Sequence, residues 1–282
     1  MTSLHAELAF TLELVRECGE VAMRYWRGGA RVLALREKPL GGGPITRADT
    51  EVNDRIVHAL SRRFSGDAVV AEESHDHGPW QRSERCWFVD PIDGTREFAR
   101  GRTGWTIQVG LCVQGQPALG VVFEPAAGHL SWAIHTEGHT VARRRLPSGQ
   151  EVELRPAGAP LDALMLIGGR LYPLSRQHDI RRALGVSSER ALSVGSVGVR
   201  MTSVARGDAH VYVQAPGHTK VWDTCGPAAL VLAGGGRVTD LRGRPLDFRA
   251  LSVTHPCGVV ASHATLHEHV LERMAPLLDR WL

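Results

Sequence analysis

From Ser3 to Arg27 the apolar residues Leu4, Leu8, Leu12, Val15, Val21 and Tyr25 recur at helical spacing, with acids and Arg16 between them. This pattern predicts an amphipathic first helix ended by Gly28 and Gly29. The stretch from Arg31 to Pro44 is glycine-rich, carries Lys38 and shows no period, so it reads as an irregular loop. Periodicity returns at Val52, Ile56, Leu60 and Phe64, predicting a second helix capped near Thr46 with Asp49 in its first turn. The run AVVA then ends in Glu72 and Glu73, and the run CWFV begins at Cys86; both have the unbroken hydrophobicity of buried strands.

Beyond Phe98, TIQVGLCVQGQPALGVVFEP predicts two strands joined by a turn at Gly115, followed by LSWAIH and further short strands to about Leu154. RPAGAP, Arg155 to Pro160, has the composition of a linker. The second half alternates: ALMLI, ERALSV and AHVYVQ read as strands, SRQHDIRRAL and VGVRMTSVARG as helices. Asp223 opens a helix with Ala229, Leu230 and Ala233 on its apolar face, which the glycines from Gly234 to Gly236 end before a strand, RVTD. A last helix from about Ala264 carries Leu266, Val270, Met274 and Leu277 on one face. Strands alternating with helices define an α/β class. We expect an N-terminal α+β lobe over residues 1–155 and a C-terminal α/β lobe over 156–282.

With 282 residues, 43% of them hydrophobic, the chain is long enough for one large core or two lobes. A net charge of +3 gives no electrostatic footprint for a nucleic-acid polymer. The triplet Arg143, Arg144 and Arg145 reads as a solvated loop. No stretch is long and apolar enough for a membrane span, and Glu7, Glu13 and Glu17 interrupt what a signal peptide would need as its apolar core. Cys18, Cys86, Cys112, Cys225 and Cys257 lie far apart with no CxxC pair, which points away from disulfides and zinc and towards a reducing cytoplasm. The pairs His75 with His77 and His267 with His269 are two residues apart; such side chains do not face each other on a helix, and both pairs read as surface.

The chemistry concentrates in CWFVDPIDGTREF, Cys86 to Phe98, where a strand ends in Asp90 and Asp93 beside a Gly94–Thr95 turn. Hard cations such as Mg2+ take carboxylate and carbonyl oxygens and complete their shell with water and phosphate. Pro91 fixes one torsion and helps aim Asp90, the Ile92 carbonyl and Asp93 at one spot, while the amides of Gly94, Thr95 and Arg96 offer donors to phosphate oxygens. Two residues separate the aspartates, which is one too many for the usual aspartyl-phosphate nucleophile and acid. The spacing after Asp90 is not that of an EF-hand, and GGGP at Gly41 lacks the Lys and hydroxyl of a P-loop. Taken singly, each feature has a plainer reading: a solvated turn, a helix-dipole contact at Asp49, surface acids at Glu72 and Glu73.

Taken together, Asp49, Glu72 in AEES, DPIDGT, and WDT at Trp222 with its downstream AGG resemble the lithium-sensitive, magnesium-dependent phosphatase superfamily that includes inositol monophosphatase, in order and over nearly the whole chain. VDPIDGTREF and KVWDTCGPAALVLAGGGRVTDLRGRPL are most similar to the signatures of 3'(2'),5'-bisphosphate nucleotidases. Inositol-specific members carry an acid just before the glycine of the loop leading into WD; here Ala215 and Pro216 precede Gly217. The chain departs from the nucleotidases at Gly43, where Ser is frequent, in lacking their Lys-x-Asp-x-Ser-Pro-Val-Thr pattern, and at Arg200, where many have Lys.

The resemblance implies an αβαβα layered sandwich and metal-assisted transfer of a phosphoryl group to water. It implies Glu72, Asp90, the Ile92 carbonyl, Asp93 and Asp223 as ligands of roughly two or three Mg2+ ions, with Asp49 and Thr95 activating the water. Gly94 and Thr95 would bind phosphate, and Arg200, His218 and Lys220 would select the substrate. The expected substrate is a small phosphorylated molecule, 3'-phosphoadenosine 5'-phosphate first; inositol monophosphate, histidinol phosphate or a sugar bisphosphate are alternatives, as is a non-enzymatic scaffold of the same fold. The resemblance leaves monomer and homodimer both open.

Overall fold

The computed structural model describes residues 4–29, 33–38, 43–74, 76–169 and 174–282. Helices α1, His5–Gly28, and α2, Arg47–Arg63, pack together on one face of a seven-stranded sheet. Between them a two-residue ladder, β1 Arg36–Glu37 with β2 Pro44–Ile45, gives order to part of the stretch expected to be irregular. The sheet follows chain order: β3 Ala68–Ala71, β4 Arg85–Asp93, β5 Thr106–Val113, β6 Gln116–Glu124, β7 His129–Thr136, β8 His139–Arg145 and β9 Glu151–Glu153. A single short turn of helix, α3 Thr95–Ala99, leaves the end of β4.

After a segment without regular structure, a second sheet is built from β10 Leu166–Gly169, β11 Ala191–Val194, β12 Val211–Gln214, β13 Gly236–Thr239 and β14 Val259–His263. Its order is β11-β10-β12-β14-β13. Helices α5, Val197–Arg206, and α6, Val221–Ala233, lie between the two sheets, while α4, Leu174–Leu184, and α7, Ala264–Trp281, pair on the outer side. The layers therefore run helix, sheet, helix, sheet, helix, as the αβαβα expectation requires.

Burial on both faces explains the unbroken apolar run of β4. Trp87 and Val89 enter the core under α1 and α2, and Phe88 enters the core between the sheets. Full burial of a side chain such as Phe88 contributes about 2–3 kcal/mol. A third core, with Val213, Val260, Val270 and Met274, joins the smaller sheet to its outer helices. Helix α6 sits unusually close to the large sheet because its Gly226 meets Gly110 and Gly120. A Cβ on Gly120 would lie 2.1 Å from the Gly226 carbonyl oxygen, and one on Gly110 2.5 Å from the Gly226 nitrogen. That contact carries the first turn of α6, and Asp223 with it, to the end of β4.

Several sequence expectations are corrected. Arg143, Arg144 and Arg145 lie on β8 rather than in a loop; Arg143 and Arg145 pair with Glu151, and Arg144 lies against His129. His267 is fully buried, 2.8 Å from both Thr239 Oγ1 and Ser262 Oγ, so only half of that pair is near the surface. His77 is half-buried against Trp80 and Trp222, and His75 lies outside the described residues. Strand β14 had no counterpart in the sequence reading. Among the described residues no helix is long and apolar enough to cross a membrane.

Candidate active site

Thr46 caps α2: its hydroxyl accepts from the amides of Ala48 and Asp49, and Asp49 returns the bond to the Thr46 amide at 2.8 Å. A cap of this kind contributes about 1 kcal/mol. Asp49 is therefore more than a favourable charge at a helix end. It is fully buried, its Oδ2 also takes the Thr46 hydroxyl at 2.5 Å, and its Oδ1 takes the Thr95 hydroxyl at 3.1 Å. Burial pushes the Asp49 carboxyl up to about 6, against the hydrogen bonds from Thr46. Thr95 reaches back to the Ile92 carbonyl at the same 3.1 Å.

The end of β4 departs from regular pairing between Asp90 and Asp93, which turns the peptide around Pro91 and Ile92 out of the ladder. Asp90 Oδ1 accepts from the Ile92 amide at 3.0 Å. Gly94, at φ +96°, makes the turn into α3; a side chain there would also crowd the Gly104 carbonyl and Trp105 at 3.2–3.3 Å. The amides of Glu97 and Phe98 bond the Gly94 carbonyl, and those of Thr95 and Arg96, at the start of α3, have no carbonyl within the helix to bond.

Asp223 is the third residue of α6, and its Oδ2 accepts from the Lys220 amide at 2.7 Å. Asp93 Oδ2 accepts from the Ser196 hydroxyl, the Gly198 amide and the Gln108 side-chain amide. The charges of Asp90, Asp93, Asp223 and Glu72 are felt by one another. Burial first, and then these neighbours, raise the carboxyls of Asp90 and Asp223 well above the usual range. Burial raises Asp93 too, against bonds from Gly198 and Ser196.

Beside Glu72 the ammonium of Lys38 lies 2.7 Å from Glu72 Oε1 and 2.5 Å from Glu73 Oε1. Burial works against the charge on Lys38, but the two glutamates outweigh it and hold its pKa above the ordinary value. Burial and the Glu72 charge push Glu73 up to about 7. Neither this contact nor a role for Glu73 was evident from sequence.

The donor set is hard oxygen throughout, and three aspartates each have one carboxylate oxygen held by the protein. Like charges held this close at raised proton affinity fit a divalent cation. Among the described residues no group of three or more acidic, histidine or cysteine side chains converges closely enough to hold an ion.

The expected substrate-selecting residues separate. Lys220 stands at the start of α6 with its ammonium 2.9 Å from Thr254 Oγ1. His218 is exposed, its Nδ1 2.7 Å from the Pro216 carbonyl. Arg200 is buried: it donates to the carbonyls of Ser196 and Gly195 and to Gln214 Oε1, and lies over the Tyr212 ring at 5.4 Å. Among the described residues it forms no ion pair, and its charge reaches Asp93 and Asp223 through space.

An αβαβα sandwich in which Asp90, at the end of β4, feels the charges of Glu72, Asp93, Asp223 and Asp49 has the sugar-phosphatase class of architecture. The chain belongs to the inositol monophosphatase family, whose model matches residues 4–277, and it is an enzyme of the phosphoric monoester hydrolase class. It is similar to a 3'-phosphoadenosine 5'-phosphate phosphatase of Mycobacterium bovis, 32% identical over 209 residues, covering 72% of each chain. It is also similar to the 3'(2'),5'-bisphosphate nucleotidase CysQ of Salmonella typhimurium, 29% identical over 84% of this chain and 91% of the other. The solved inositol monophosphatase of Thermotoga maritima shares the fold, with a TM-score of 0.79 at 22% identity over 98% of this chain and all of the other.

Proposed function

We propose that this chain is a Mg2+-dependent phosphatase that hydrolyses 3'-phosphoadenosine 5'-phosphate to AMP and phosphate. The reaction is supported above all by one observation, the Thr95 hydroxyl suspended between Asp49 and the Ile92 carbonyl beside the acid cluster. Glu72, Asp90, the Ile92 carbonyl, Asp93 and Asp223 would hold roughly two or three Mg2+ ions, which supply charge neutralisation and Lewis acidity at the phosphate. The amides of Gly94 and Thr95 receive phosphate oxygens.

The rest of the chemistry belongs to the chain. Thr95 has one proton and can accept another only if it passes its own to Asp49. As a water oxygen bonds to phosphorus, its proton goes to Thr95 and the Thr95 proton to Asp49, while the ester bond breaks and the leaving oxygen departs with the bonding electron pair as the alkoxide, which takes a proton from solvent to become the alcohol. A carboxyl near pKa 6 is well matched to that task at neutral pH.

The choice of substrate is supported by the names of the two relatives, by the missing acid at Ala215 and Pro216, and by Arg200, a buried cation whose hydrogen bonds among the described residues go to neutral acceptors. With Lys220 and His218 it would face the second phosphate and the nucleoside. The small ligand and the free thiols fit a cytoplasmic enzyme acting as a monomer or homodimer.

Phosphate release in Mg2+ from 3'-phosphoadenosine 5'-phosphate, inositol 1-phosphate, histidinol phosphate and fructose 1,6-bisphosphate tests the reading. Preference for the first, blocked by lithium, is expected. Preference for another compound would discard the substrate but keep the catalytic residues, and silence on all four would favour a scaffold.

A further inference from the structure

We infer that Ser196 is a positioning residue that, with Gln108 and the Gly198 amide, locks Asp93 into service as a cation ligand. The inference rests on the reading of the site proposed above. Asp93 Oδ2 lies 2.6 Å from Ser196 Oγ, 2.6 Å from the Gly198 amide nitrogen and 3.0 Å from Gln108 Nε2. Ser196 and Gly198 come from the start of α5, more than 100 residues further along the chain than Asp93, and Gln108 comes from β5.

The proton on Ser196 has one destination. A serine hydroxyl carries one hydrogen and two lone pairs. The Val199 amide donates to Ser196 Oγ at 3.0 Å, which caps α5, and the Thr106 hydroxyl lies 3.1 Å away. An ionised carboxylate only accepts, so Ser196 donates to Asp93 and Thr106 donates to Ser196. Every valence of this fully buried hydroxyl is committed, which fixes its rotamer and the plane of the Asp93 carboxylate.

Gly198 belongs to the same device. A Cβ there would stand 2.5 Å from Thr106 Oγ1, 2.9 Å from Gln108 Oε1 and 3.2 Å from Asp93 Oδ2, so only glycine brings the amide within reach. With Oδ2 taken by three donors, Oδ1 is the oxygen that Asp93 offers to a cation.

Ser196→Gly tests this, because glycine is tolerated at an N-cap almost as well as serine and the variant mainly deletes the hydroxyl. Isothermal titration of the full chain with Mg2+ alone should show a dissociation constant raised by about tenfold, the loss typical when a group orienting a metal ligand is removed. The Mg2+ concentration for half-maximal hydrolysis should rise by the same factor, with the KM for phosphate ester at saturating Mg2+ changed by less than about twofold. Ser196→Thr, which keeps the hydroxyl, should restore the affinity, and Gln108→Leu, which spares the α5 cap, should weaken it in the same direction. Wild-type Mg2+ affinity in Ser196→Gly and Gln108→Leu would overturn the inference while leaving the phosphatase reading intact. A melting temperature in EDTA that falls in step with affinity would mark a merely structural serine and overturn it as well. If the wild-type chain itself binds no Mg2+ and hydrolyses no ester, the proposed function falls and takes the inference with it.

Discussion

Asp49→Asn separates the catalytic use proposed for Asp49 from its structural use. The amide fits the same space: its oxygen can accept from the Thr46 amide, as Oδ2 does now at 2.8 Å, and its nitrogen can donate to the Thr95 hydroxyl now 3.1 Å from Oδ1. Thr95 is then left to donate to the Ile92 carbonyl, and the proton from water has nowhere to go. Turnover should fall by about 100-fold or more, the usual worth of a general base, with KM little changed. Stability should move the other way. A carboxyl raised from its ordinary value to about 6 in the folded state holds its proton more tightly folded than unfolded. Its contribution therefore improves as pH falls through that window and worsens as pH rises. Between pH 7.5 and 5.5 the linkage gives about 1 kcal/mol for this group alone, or about 2–4 °C for a chain of this size. Thermal melts in EDTA at the two pH values should show a smaller difference for Asp49→Asn than for wild type, alongside the kinetics at saturating Mg2+. A loss confined to KM would make Asp49 a binding residue, and an unchanged pH difference would show that its charge is not held out of water as the burial implies.

Asp90→Asn should lose nearly all turnover yet fold normally, because one charged ligand disappears from a cluster whose members repel one another; wild-type-like phosphate release would refute the metal assignment. The raised carboxyls of Asp49, Glu73, Asp90, Asp93 and Asp223 imply that Mg2+ displaces protons from the site. Added Mg2+ should raise the melting temperature more at pH 7.5 than at pH 5.5, and calorimetric binding enthalpies should vary with the ionisation enthalpy of the buffer; equal stabilisation at both pH values would contradict this. Gly198→Ala should weaken Mg2+ binding and lower the melting temperature together, since its methyl group meets Thr106, Gln108 and Asp93; an unperturbed melt would show that α5 can shift at no cost.

The parts of this site that were legible in the sequence are those whose chemistry is local. Asp90, Ile92, Asp93, Gly94 and Thr95 occupy one strand end and one turn, so their spacing alone restricts what they can do. By periodicity alone Asp49 is an acid in a first helical turn, and only the family resemblance implied a role for it. The contact that gives it a chemical role spans 46 residues to Thr95, and a helical pattern carries no information about that distance. Ser196 shows the same limit more sharply. It precedes the VGVR helix and caps it, yet its hydroxyl also reaches Asp93 across 103 residues, which the sequence reading did not touch.

The misreadings have a common physical source, which is that local polarity is a poor guide to burial once two sheets share one layer of helices. Three consecutive arginines read as a loop, but on an outer strand alternate ones lie along the sheet and pair with Glu151. Residues two apart on a helix do point apart, as the histidine argument held; that same geometry sends His267 into the core, where Thr239 and Ser262 satisfy both ring nitrogens, and leaves His269 near the surface. Selectivity is the least local property of all. The resemblance implies Arg200 as a substrate-selecting residue, yet it is wrapped by Ser196, Gly195, Gln214 and Tyr212. Because Ser196 gives its carbonyl to Arg200 and its hydroxyl to Asp93, the residue proposed to read the second phosphate and the residue proposed to hold the cation share one backbone turn. A substitution chosen to alter substrate choice at Arg200 should therefore be read against Mg2+ affinity before it is read as specificity.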